Sequence, residues 1–90
     1  MARLSDAEAR TRLAALTGWE IDGDRLRKRY THATFPAAIA FVNRVAELAE
    51  AADHHPDILI EYKHVTLTLT THDEGGLSAR DFSLAARIDA

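Results

Sequence analysis

Pro56 marks the sharpest change of regime along the chain. Upstream, Phe35, Ile39, Val42, Val45, Ala46 and Ala49 recur at helical spacing, with Phe41, Leu48 and Ala52 as a neighbouring apolar row. Downstream, Ile58, Ile60 and Tyr62 alternate with Leu59 and Glu61, and Val65, Leu67 and Leu69 alternate with Thr66, Thr68 and Thr70. That two-residue period belongs to half-buried strands with threonines facing out. A proline has no N–H to continue a helical ladder and disfavours helical backbone at the residue before it, so the helix must stop at His54-His55. His72 stands at the far end of the strand-like run. A hairpin that returns the chain brings the two places together, with three of the five histidines of this 90-residue chain within reach of acidic groups.

The flanking segments read as scaffold. Ser5-Asp6-Ala7-Glu8 is a capping box opening a first helix, whose buried stripe is Ala9, Leu13 and Leu16 and whose end is Gly18 in a left-handed conformation. Trp19 and Ile21, then Leu26 and Tyr30, flank Asp22-Gly23-Asp24, where the Asp-Gly pair supplies the positive φ angles of a tight hairpin. Thr34 caps the second helix with Pro36 in its first turn, where the missing N–H costs nothing. Between the later strands the turn near Lys63-His64 lacks the usual Gly or Asn. Asp73-Glu74-Gly75-Gly76 then reverses the chain, and Ser78-Ala79-Arg80-Asp81 opens a last helix bearing Phe82, Leu84, Ala85 and Ile88. The order α-β-β-α-β-β-α specifies a two-layer α+β fold, a four-stranded antiparallel sheet with three helices on one face, in a single domain spanning 1–90. The second helix is apolar over more than one stripe, which fits a wide core contact and a contact with another subunit equally well; so short a chain builds only a modest core alone.

Composition narrows the function classes. Net charge is −3, so a phosphate backbone meets no strong positive field, and the basic cluster Arg25, Arg27, Lys28, Arg29 reads as the solvated face of a strand. Direct nucleic-acid binding is disfavoured. There is no cysteine, hence no disulfide and no thiolate metal site. Met1 leads into a polar helix start, and Asn43, Arg44, Glu47 and Glu50 interrupt the longest apolar segment, so no membrane span and a cytoplasmic location are expected.

Imidazoles in a cleft suit proton transfer near neutral pH. Glu50 and His54 are four apart at the end of the second helix and share a face, so the carboxylate can orient the imidazole; a cationic histidine at a helix C-terminus explains the same pattern. His55, beside Pro56, points elsewhere. Asp81 at the third position of a helix has an ordinary capping role as well as a chemical one. Adjacent histidines diverge and make a poor metal pair, so no metal is expected. His32 and His64 read as surface or packing residues, and Trp19 as core.

Glu50, His54-His55-Pro56, Tyr62, His72 and Asp81, with THDEGGLSARD around the last two and Gly18-Trp19 before the first strand, together resemble the pterin-4a-carbinolamine dehydratases over nearly the whole chain. The resemblance implies a hydro-lyase that dehydrates 4a-hydroxytetrahydrobiopterin to the quinonoid dihydropterin without metal or organic cofactor, in the recycling of a pterin used by an aromatic amino-acid hydroxylase. It also implies roles. His54 and His72 would be the acid and base on opposite sides of the pterin, His55 would orient the ring, and Glu50 and Asp81 would polarise the imidazoles. Asp53, Thr70, Thr71 and Asp73 would line the pocket, and Trp19 would close one wall. Homodimers through sheet edges and homotetramers through helices are implied too. A non-enzymatic reading is a binding or assembly protein on the same fold, such as a dimerisation cofactor for a homeodomain transcription factor.

Overall fold

The computed structural model describes residues 3–90; Met1 and Ala2, the start of the expected 1–90 domain, lie outside the described residues. Its elements follow the expected order: α1 (Asp6–Leu13), β1 (Glu20–Asp22), β2 (Arg25–Thr31), α2 (Phe35–Ala52), β3 (Asp57–Glu61), β4 (His64–Leu69), a single 3-10 turn (His72–Glu74) and α3 (Ala79–Asp89).

Helix α1 begins as the capping box requires, with the Glu8 N–H on Ser5 Oγ at 3.1 Å and the Ser5 N–H on Glu8 Oε1 at 2.9 Å. It ends sooner than expected. Ala14 caps it in a right-handed conformation, only Ala9 of its stripe is buried, and Gly18 does not terminate it. Gly18 (φ +81°) instead turns the chain into β1 beneath Lys28, whose Cε would sit 3.0 Å from any added Cβ.

The sheet runs β1-β2-β4-β3, every pair antiparallel. Asp22 pairs with Arg25, so Gly23-Asp24 is the two-residue turn and Gly23 alone carries the positive φ there. In β4, Val65, Leu67 and Leu69 are fully buried while His64, Thr66 and Thr68 stand on the other face, as the alternation specified. Opposite Leu69 lies Leu26. These four meet Ala38, Val45 and Ala49 of α2 and Phe82, Leu84, Ala85 and Ile88 of α3 in one core under the helical layer. Two members of the expected α2 stripe, Phe35 and Ala46, are exposed instead, and Ala38 takes the inner place.

Strand β3 departs from the half-buried pattern. It is the outermost strand beside β4, and all five of its residues are exposed, Leu59 by 54%. Its turn is Tyr62-Lys63, since Glu61 pairs with His64. Tyr62 supplies the positive φ (56°) that a glycine or asparagine usually supplies.

The basic cluster divides by strand parity. Arg25 lies 3.6 Å from Asp57, and Arg27 lies 3.1 Å from Glu20 and 3.4 Å from Asp22, on the helix-free face. Lys28 turns the other way, to the Thr17 carbonyl at 2.9 Å and Asp89 at 3.0 Å. Among the described residues no helix is long and apolar enough to cross a membrane.

Asp89 fastens the end of α3 to the sheet. It accepts from Trp19 Nε1 at 2.7 Å, Lys28 Nζ at 3.0 Å and Tyr30 Oη at 2.5 Å. Burial pushes its carboxyl upward, but the hydrogen bonds from Tyr30, Trp19 and Lys28 and the Lys28 charge outweigh that and hold it below the usual aspartate value of 3.8. A carboxyl lowered in the folded state stabilises the fold above its unfolded pKa, and the contribution fades as pH falls through the folded value. Asp89→Asn is therefore expected to lower stability by about 1 kcal/mol at pH 7. The gap to the parent chain closes as the pH drops below about 4; urea denaturation of both chains across acid pH measures it, and a pH-independent gap would contradict the account.

Candidate active site

The end of α2 sets where the histidines emerge. Asp53 adopts a left-handed conformation (φ 49°, ψ 43°), the Asp53 N–H reaches the Glu50 carbonyl at 3.1 Å, and the His54 N–H reaches that of Ala49 at 3.1 Å. This is a Schellman closure with aspartate where glycine is usual. The helix thus stops two residues before the point Pro56 alone would dictate, and His54 lies beyond the helix rather than on the Glu50 face.

The carboxylate partners are exchanged as a result. His54 Nε2 meets Asp81 Oδ1 at 2.5 Å, with His54 7% and Asp81 0% exposed. His55 Nε2, pointing out beside Pro56, meets Glu50 Oε1 at 2.7 Å in solvent. The expected Glu50–His54 pairing is corrected to Glu50–His55.

Asp81 serves two purposes at once. As the third residue of α3 its Oδ2 accepts the Ser78 N–H at 3.0 Å, completing a capping box, and also the Thr71 hydroxyl at 2.9 Å. Ser78 Oγ lies 2.7 Å from Thr71 Oγ1, and since Thr71 donates to Asp81, Ser78 donates to Thr71. Its second oxygen faces His54. A carboxylate oxygen accepts only, so Nε2 of His54 carries hydrogen and Nδ1 is left to exchange a proton.

His72 opens the 3-10 turn immediately after Thr71 and is exposed. The turn is closed by paired backbone bonds between Thr71 and Gly76, at 3.1 and 3.3 Å. Thus the His54–Asp81–Thr71 chain links the two histidine-bearing segments. Asp73 is exposed on the same turn, and the Asp53 carbonyl accepts from Arg80 Nη2 at 2.7 Å. The other expected pocket residues are engaged elsewhere. Thr70 Oγ1 donates to the Asp24 carbonyl at 2.8 Å, and Thr71 commits its hydroxyl and backbone to Asp81 and Gly76. Trp19 is core, bonded to Asp89, and borders a separate hollow of about 520 Å³ that no histidine lines.

A hollow of about 290 Å³ opens beside His54, between the end of α2 and the outer side of α3, with Arg80, Ser83 and Arg87 on its wall. Sequence reasoning missed Ser78, Arg80 and Arg87. Ser78 and Arg80 stood inside THDEGGLSARD, Ser78 with only a capping role read for it and Arg80 with none, and no periodic signal distinguishes Arg87 from a solvated arginine. Among the described residues no group of three or more histidines and carboxylates is arranged to hold a metal.

The profile of the family described as "Pterin 4 alpha carbinolamine dehydratase" matches residues 2–90. The chain belongs to that family. A provisionally named pterin-4-alpha-carbinolamine dehydratase of Roseiflexus sp. (strain RS-1) is 60% identical over 87 residues, 97% of this chain and 94% of that one. One of Chloroflexus aurantiacus (strain ATCC 29366 / DSM 635 / J-10-fl), also provisionally named, is 55% identical over 89 residues, 99% and 96% of the two chains. The crystal structure of a transcriptional coactivator/pterin dehydratase from Brucella melitensis superimposes with a TM-score of 0.92 at 34% identity, covering 97% of this chain and 95% of that one. A pterin dehydratase-like protein identified as a RuBisCO assembly factor in the alpha-carboxysome is more distant, with a TM-score of 0.66 at 26% identity over 79% of this chain and 82% of that one.

Removal of Asp81 from this member of the pterin-4-alpha-carbinolamine dehydratase family tests the network directly. Asp81→Ala strips the acceptor from Ser78 N–H, the Thr71 hydroxyl and His54 Nε2–H, all buried. The expected loss is about 3 kcal/mol in equilibrium unfolding, the scale for an orphaned buried polar cluster. A loss within the range of exposed helix caps, about 1 kcal/mol, would mean that the network carries no more than capping.

Proposed function

We propose that this chain is a 4a-hydroxytetrahydrobiopterin dehydratase, a hydro-lyase working by histidine general acid/base catalysis within one domain spanning 1–90. The observation that carries the reading is the buried His54–Asp81 pair, which leaves one imidazole nitrogen for proton exchange a few bonds from the His72 segment. In the reaction the C4a–O bond breaks as the hydroxyl takes a proton and leaves as water. The N5 proton passes to a base, and the electron pair freed at N5 forms the C4a=N5 double bond. Two imidazoles, one giving and one taking a proton, balance the step, and each such transfer supplies about 10²–10⁴-fold.

Under this reading His54 and His72 are the acid/base pair. His55, held by Glu50, orients the ring from the solvent side; Asp81 fixes the His54 tautomer. Asp53 and Asp73, both exposed beside the histidines, border the pterin, and Thr70 and Thr71 shape the strand end behind it. Trp19 belongs to the scaffold. No metal or organic cofactor enters the balance. The setting is tetrahydrobiopterin recycling in the cytoplasm, alongside an aromatic amino-acid hydroxylase.

His54→Ala and His72→Ala are each expected to lower kcat for synthetic 4a-hydroxytetrahydrobiopterin by about 10²-fold or more. His72→Ala, made at an exposed site, should keep the thermal midpoint of the parent chain, which separates chemistry from folding. Parent-like turnover by the double variant would remove both from the mechanism and favour the assembly role borne by the alpha-carboxysome relative's name.

A second copy of the chain is the partner that β3 suits. Its outer edge carries unpaired backbone groups, Ile58 and Ile60 are more than a third exposed, and neither charge nor proline blunts the middle of the strand. A homodimer through this edge, extended to a homotetramer through the apolar α2, follows. Ile60→Pro should shift the sedimentation coefficient to that of the monomer; a parent chain already monomeric at micromolar concentration would overturn the assembly.

A further inference from the structure

The hollow beside His54 has a chemical bias that proton transfer does not need. Arg80, Ser83, Leu84 and Arg87 succeed one another at helical spacing along one side of α3, so their side chains wall the same space. Ala52 and Ala79 are the small residues that leave it open. Two guanidinium groups and one imidazole contribute to this wall, and no carboxylate does. Asp81 lies behind His54, its charge directed at the imidazole and the α3 cap.

Some arginines of the chain are matched: Arg25 and Arg27 face Asp57, Glu20 and Asp22, and Arg44 reaches the Ile88 carbonyl. The Arg87 guanidinium has no hydrogen-bond or ion-pair partner among the described residues, and that of Arg80 is bound through Nη2 to the Asp53 carbonyl alone. What sets these two apart is that they wall one hollow. Ser83 Oγ is likewise without a partner there. Two cations on one helix side repel each other, and an anion between them turns that repulsion into attraction while accepting forked hydrogen bonds.

We propose that Arg80 and Arg87 form a specificity subsite for an anionic group at the end of the pterin's 6-substituent, so that the preferred substrate carries a terminal phosphate ester or carboxylate rather than a neutral polyol. The inference rests on the dehydratase chemistry proposed above and revises its substrate, from tetrahydrobiopterin with its neutral dihydroxypropyl chain to a pterin of the same ring with an anionic one. His54 lines the same hollow, so a ring placed against its free nitrogen directs a short substituent along α3 toward Arg87. Chain net charge of −3 makes this local cationic wall a selector rather than part of a general positive field.

Three 4a-hydroxytetrahydropterins test it, identical except for a 6-substituent ending in hydroxyl, phosphate ester or carboxylate. The parent chain should show kcat/KM at least about 10-fold higher for an anionic substrate than for the alcohol, carried mainly by KM, since one forked charge-assisted contact is worth a factor of that order. In Arg87→Gln the ratio of anionic to neutral kcat/KM should fall toward one, and Arg87→Lys should restore part of it. The phosphate and carboxylate arms decide which anion the subsite takes. Calorimetric binding of the matching stable oxidised pterins supplies a readout without turnover. A binding preference for the anion that Arg87→Gln abolishes, with no dehydration of any substrate, would sink the dehydratase reading and leave the subsite standing. Dehydration of all three with equal kcat/KM would do the reverse, and equal binding of all three pterins would overturn the subsite outright.

Discussion

One buried carboxylate holds the candidate site together. Asp81 is fully enclosed, yet every hydrogen bond it accepts comes from a different part of the local structure: the α3 cap through Ser78, the end of β4 through Thr71 and the end of α2 through His54. A buried carboxylate without partners would be driven to neutralise or to reject the fold, so the three donors are a condition of its burial. That condition positions the imidazole. The same bonds that satisfy Asp81 select the His54 tautomer, so folding and the proposed proton chemistry draw on one set of contacts.

The other end of α3 repeats the device with a different outcome. Asp89 collects Trp19, Lys28 and Tyr30 and, with Arg44 on the Ile88 carbonyl, fixes the helix to the residue before β1, to β2 and to α2. Burial first, then the bond to Asp89, pushes the Tyr30 phenol well above its ordinary value, so it remains a donor throughout the physiological range. With both ends of α3 held, the helix wall between them keeps its geometry. Under the proposed dehydratase reading a ring aligned against His54 needs such a wall, because small displacements of a reacting group are costly in rate.

Local physical signals made most of the fold readable in the sequence. Helical and two-residue periods, two capping boxes and the Thr34 cap each depend on neighbours within one turn, and each helix begins where they put it. Failures occurred where a distant partner outweighed a near one. Glu50 and His54 have the right spacing for a pair, but a left-handed Asp53 ends the helix first, and Asp81, 27 residues on, takes the imidazole. Trp19 read as core from its place in the chain and as a pocket wall only from the resemblance; its indole is bonded to Asp89, 70 residues away, a partner no local pattern announces. Alternation in β3 reported the pleat correctly and its burial wrongly, because period reveals which residues share a face and says nothing of whether a helix covers it. His54, His55, His72 and Asp81 stood out through a detailed motif; Arg80 lay inside THDEGGLSARD with no role read for it, and Arg87 had no motif to mark it.

The two non-glycine residues with left-handed backbone, Asp53 and Tyr62, bracket the segment that runs from the histidine pair through β3. Such conformations cost on the order of 1 kcal/mol or more each and persist only when their surroundings dictate them. For Asp53 the cause is visible: two Schellman bonds and the Arg80 contact to its carbonyl hold the turn that aims His54 inward and His55 outward. Tyr62 has only the two-residue turn and Lys63 near its ring to account for it, with the side chain 67% exposed at the tip of an edge strand. Strain at Asp53 therefore serves the site. Strain at Tyr62 serves the register of β3 against β4, which keeps Ile58 and Ile60 on the core side and Leu59 on the other face, and so determines what the open edge presents to a neighbour.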